Sequence, residues 1–105
     1  MKFAKTIFEC EIAGEKYRFA ALTMRQMERL SKQEDEATDL NGRVAVRQET
    51  IALALSGAGE AVTADDIAEN MSGPVFAALF AAVMQAHGLK LETKNLGELA
   101  ASASS

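Results

Sequence analysis

Residues 70–89 run for twenty positions without a full charge, in a chain that is 25% charged. Within that run the spacing predicts a helix over residues 74–87: Ser72 and Gly73 lead in, Pro74 suits the first turn, and Gly88 follows the last periodic residue. Its large apolar side chains (Val75, Phe76, Leu79, Phe80, Val83 and Met84) cover about half the circumference at ~100° per residue. Almost everything opposite is alanine: Ala77, Ala78, Ala81 and Ala82. A helix that is apolar or small all round needs cover on every side. With 105 residues available, part of that cover is expected from another chain, so self-association is expected. A membrane span is not, because the apolar helical part is about 12–14 residues where ~20 are needed.

Residues 1–89, this helix included, are read as one domain. Phe8, Cys10 and Ile12 alternate with Glu9 and Glu11, and Tyr17 and Phe19 resume the alternation around Arg18. Two such runs around Ala13-Gly14-Glu15-Lys16 predict a β-hairpin over residues 5–20. Thr23 followed by Gln26 is a capping-box pattern, and Met24, Met27 and Leu30 give a helix over about residues 24–33. Those methionines are read first as fillers of irregular core gaps, the alternative being an adaptable binding surface. Residues 34–42 are acidic and are expected to form a solvated loop. As a calcium loop the segment fails, since Ala37 and Gln48 stand where carboxylates are required. Val44, Gln48, Ile51 and Leu55 share a stripe with Arg47, Glu49 and Thr50 elsewhere, predicting a helix over residues 43–56 ended by a left-handed Gly57. Thr63 with Asp66 caps a short helix over residues 64–71, with Ile67 and Met71 inward. Residues 90–105 are expected to be a polar, disordered tail. The fold class expected is therefore α+β and mostly α, a hairpin followed by about four helices.

Chemistry-bearing residues are sparse. The net charge is −4 and no run of three basic residues occurs, which argues against a phosphate-backbone binder. One histidine and one cysteine do not make a metal site, and no glycine-rich phosphate loop is present. No cofactor, no metal and no catalytic residue are expected. His87, in the last turn of the apolar helix, is expected to place a cationic imidazole against exposed carbonyls. Cys10 is expected to be a small buried hydrophobe in a reducing compartment. The run from Thr63 to Ser72 has the outline of a helix-turn-helix, whose second helix must carry side chains that reach bases. Val75, Phe76, Ala77, Ala78, Leu79 and Phe80 cannot do so. A small DNA-binding regulator therefore stands as the alternative, open to a gel shift with random duplex at low salt.

The order of these elements resembles a known family. A strand pair ends in Tyr17-Arg18-Phe19-Ala20-Ala21-Leu22-Thr23, followed by a helix with Met27-Glu28-Arg29-Leu30 and another with Ile51-Ala52-Leu53-Ala54-Leu55-Ser56. Val62-Thr63-Ala64-Asp65-Asp66-Ile67 and an apolar helix closing in Ala86-His87-Gly88-Leu89 complete the series. This order is similar to that of the tail assembly chaperones of long-tailed bacteriophages and prophages, over nearly the whole chain. The resemblance implies a non-enzymatic factor of the bacterial host cytoplasm that coats the tape-measure protein, helps recruit tail-tube protein and is absent from the mature virion. It carries no catalytic motif. The surface expected to meet the partner is Val75, Ala78, Leu79 and Ala82 on the last helix, with Met24 and Met27 on the first. On that reading Leu79→Asp abolishes partner binding while leaving the monomer folded.

Overall fold

A computed structural model describes residues 6–88; the expected tail over residues 90–105 lies outside the described residues. The element order is β1 (Ile7–Ile12), β2 (Glu15–Ala20), α1 (Met24–Glu36), α2 (Leu40–Gly57), α3 (Ala64–Asn70) and α4 (Gly73–Ala86). The fold is thus α+β and mostly α, a hairpin followed by four helices.

The hairpin turns through two residues, Ala13 at φ 53° and Gly14 at φ 81°. Positive φ at both central positions is the primed-turn geometry whose twist matches that of the strands. Glu15 and Lys16, expected in the turn, belong to β2. The register pairs Phe8 with Phe19, Cys10 with Tyr17 and Ile12 with Glu15 on the inner face. The two phenyl rings stack at 5.4 Å between centroids. On the outer face Glu9 stands opposite Arg18 and Glu11 opposite Lys16, so every cross-strand charge there meets its opposite.

The capping residues act as their spacing predicts. Thr23 accepts from the Gln26 amide while the Gln26 side chain accepts from the Thr23 N–H, and Thr63 and Asp66 repeat the arrangement at α3. Ser72 caps α4. Where the structure departs from expectation is residues 34–42. Helix α1 continues to Glu36, and Asp39 caps α2 by accepting from the Gly42 amide at 2.7 Å. The acidic residues there sit on helix surfaces, with Glu34 drawn to Arg47 at 2.7 Å. Only residues 37–39 separate the two helices.

Helix α2 is the one that the other elements surround. Ile51 and Ala54 have no exposed surface, and α2 touches β2, α1, α3 and α4. A fully buried isoleucine side chain such as Ile51 contributes roughly 1.5–3 kcal/mol. Thr50, expected on an outer stripe, is buried instead; its hydroxyl donates to the Val46 carbonyl at 2.9 Å, which satisfies it. The core is completed by Phe19, Leu30, Leu55, Ile67, Leu79, Phe80 and Val83.

Gly57 serves a purpose other than the one expected. It is the last residue of α2, and the left-handed conformation falls to Gly59 at φ 101°. A Cβ at Gly57 would stand 2.8 Å from the Ala20 Cβ, so glycine is required there by the close approach of α2 to the end of β2. Gly57→Ala is expected to cost about 1–2 kcal/mol despite its better helix propensity, read as a lower urea midpoint with an unchanged slope. Ala13→Asn is expected to act oppositely, gaining about 0.5–1 kcal/mol because asparagine tolerates the left-handed region better.

Candidate functional site

Tyr17 and Ile12 on the hairpin, Leu55 on α2, Ile67 on α3 and Val75 on α4 form the floor of an open cleft of about 690 Å³. Its rim is polar on both sides, with Lys16 and Arg18 along β2 and Glu60, Asp66, Asn70 and Ser72 along the helical wall. The cleft exists because of how the chain leaves α2. Gly59 turns it sharply, the Ser56 hydroxyl donates to the Val62 carbonyl at 2.9 Å, and the capping box at Thr63 starts α3 at once. Helix α3 is thereby held beside α2 while β2 is held on the other side by the Gly57–Ala20 approach. Clefts of this size suit small ligands or a few side chains of a partner.

The six side chains expected to meet a partner are not brought together. Val75 is the one that lines the cleft. Ala78 and Ala82 are half-buried on the same stripe of α4, and Ala77 and Ala81 are half-buried as well. Met27 packs against the core, whereas Met24, at the first turn of α1, is 78% exposed and fills no core gap. Leu79 is fully buried. Leu79 therefore belongs to the core, and Leu79→Asp would bury a carboxylate and unfold the monomer. The helix packs through its large-residue half, as its periodicity implies, and Leu79 lies within that half. The two features that sequence reasoning passed over are Tyr17 and the α3 wall. Their signal was the charge pair Lys16 and Arg18 bracketing an aromatic residue.

His87 departs from the cationic role expected of it. Its Nδ1 lies 2.6 Å from the Val83 carbonyl, and the Leu22 amide donates to its Nε2 at 2.8 Å. An N–H pointing at Nε2 requires a lone pair there, so the ring is the neutral tautomer with its proton on Nδ1. The imidazole does meet a carbonyl of the last turn, but as half of a clasp between α4 and the segment joining β2 to α1. Cys10 is half-buried on the inner face of β1; burial, with a smaller contribution from Glu9, pushes its thiol pKa up and keeps it a poor nucleophile. Among the described residues no group of three or more His, Cys, Asp or Glu side chains is placed to hold a metal ion, and no helix is long and apolar enough to cross a membrane.

His87→Ala leaves the Leu22 amide without its acceptor and is expected to cost about 1–3 kcal/mol. Gln85→Ala, two residues earlier and exposed, is the control and should stay within about 0.5 kcal/mol of wild type. Thermal denaturation of both variants followed by circular dichroism reads the difference.

Compared with protein-family models, with curated proteins and with solved structures, the chain matches none.

Proposed function

We propose that this chain is a non-enzymatic assembly chaperone of the long-tailed phage type, which holds an apolar stretch of a tape-measure protein in solution and promotes assembly of the tail tube. The observation that carries the reading is the cleft between β2 and the α3–α4 wall, an apolar floor left open to solvent between two charged rims. A surface of that kind suits side chains of another polypeptide, with the floor supplying affinity and the rims supplying orientation. The hairpin followed by four helices is also the order in which the resemblance expects the elements. On this reading the partners are the tape-measure protein, the tail-tube protein and further copies of the chain, in the cytoplasm of the host.

The DNA-binding alternative is less well supported by α4. Its exposed positions are Gly73, Pro74 and Gln85, so a single side chain that can hydrogen-bond to a base edge remains on its outer surface.

The test is co-expression with the tape-measure protein encoded in the same genome. The chain is expected to move most of that protein from the pellet to the soluble fraction. Val75→Ser, altering the cleft floor, should reduce the soluble fraction about fivefold or more while the melting temperature stays within a few degrees. Equal solubility with and without the chain would end the chaperone reading.

A further inference from the structure

The cleft is bordered on one side by a strand edge, and the backbone of that edge is what specifies its occupant. Among the described residues the sheet has two strands, and β2 pairs with β1 on one side only. The Ala21 amide donates to the Thr6 carbonyl at 2.9 Å, which fixes the phase of the ladder. In the observed register Glu15, Tyr17 and Phe19 therefore exchange hydrogen bonds with β1, while the N–H and C=O groups of Lys16 and Arg18 point away from it. Among the described residues neither of those two backbones has a hydrogen-bond partner. All four residues from Glu15 to Arg18 line the cleft, as they must where a cleft runs along a strand edge rather than across a face.

We infer that the cleft takes an extended segment of a partner protein, which adds to β2 as a third strand through the backbone of Lys16 and Arg18. Alternate side chains of that segment enter the floor at Leu55, Ile67 and Val75, so they are apolar. The intervening ones lie on the outer face beside Lys16 and Arg18. Those cations already face Glu11 and Glu9 across β1, and cross-strand pairing selects acidic residues on their other side as well. The same charges disfavour a second copy. An antiparallel β2–β2 pair centred on Tyr17 sets Lys16 of each chain opposite Arg18 of the other, like against like. The occupant is thus a foreign strand of alternating apolar and acidic residues. This inference rests on the reading of the cleft as a protein-binding surface.

The test uses the full chain and a capped octapeptide of alternating valine and glutamate, titrated to millimolar concentration and followed by amide resonances and hydrogen exchange. Saturable shifts at Lys16, Arg18, Ile67 and Val75 are expected, with exchange at the Lys16 and Arg18 amides slowed about tenfold or more. Methylating the peptide nitrogens that face β2 should weaken binding about tenfold, and methylating the others should not. A valine–lysine octapeptide should bind more weakly than the glutamate one. Equal binding by both methylated peptides, or shifts confined to other surfaces, would overturn strand addition. If a helical leucine–glutamate peptide shifts Ile67 and Val75 while the octapeptide does not, strand addition fails and the protein-binding cleft stands. If neither peptide binds yet the tape-measure protein is still solubilised, strand addition fails and chaperoning uses another surface. Protection of Lys16 and Arg18 that grows with protein concentration alone would overturn the inference in favour of self-pairing.

Discussion

The closeness of α2 to the end of β2 is the constraint on which the other placements depend. With no side chain at Gly57, the helix backbone comes down on Ala20, and the inner face of the hairpin then lies directly over Ile51 and Leu55. A helix held back by even a methyl group would leave Phe19 without full cover, and Phe19 stacks on Phe8, so the error would spread into β1. Helix α4 occupies the space that remains, with Leu79, Phe80 and Val83 buried. The core is thus organised around the alanine- and leucine-rich α2, and α4 is its lid.

Electrostatic contacts refine this arrangement without creating it. Arg47 of α2 pairs with Glu34 of α1 and lies 4.9 Å from the Phe80 ring centroid on α4, so one guanidinium ties its own helix to two others. A partly exposed pair is worth little by itself, and the aliphatic stem and ring contact matter as much as the charge. Arg29 and Glu49, at 3.5 Å and more exposed, add a weaker tie between the same two helices. Both pairs lie at the edge of the α1–α2 contact, whereas Leu30 and Ile51 are buried.

Much of the fold was legible because its signals are local. Thr23, Thr63 and Ser72 each mark a helix start through a hydrogen bond that closes within three residues, and the alternation through Phe8, Cys10 and Ile12 marks a strand. What could not be read is what depends on distant parts of the chain. Helix α2 has small or apolar residues on most of its surface, so no stripe distinguishes Thr50, Ala52 and Ala54 as inward. Residues 34–36 carry three acidic side chains, which suits a loop as well as the outer face of a helix, and the Glu34–Arg47 contact that accompanies the helix is not visible locally. Leu79 and Met24 were both assigned to a partner surface, yet one is fully buried on the large-residue half of α4 and the other stands clear of the core. The cleft itself was invisible, because its two walls are set by an approach between residues 20 and 57.

The His87 clasp has a consequence for how the molecule comes apart. Its ring joins the C-terminal end of the last helix to the segment between the hairpin and the first helix, 65 positions away in sequence. The C-terminal end of α4 is thereby tied to the segment joining β2 to α1, and fraying of the last turn of α4 exposes the Leu22 amide and the start of α1 together. Opening at that corner is a shared event of the β2–α1 segment and the last helix, not the loosening of a terminus. The cleft lies at the other end of α4, where Ser72 and Val75 stand, so its helical wall can loosen without releasing the clasp. The fold thus keeps the clasp and the cleft at opposite ends of one helix.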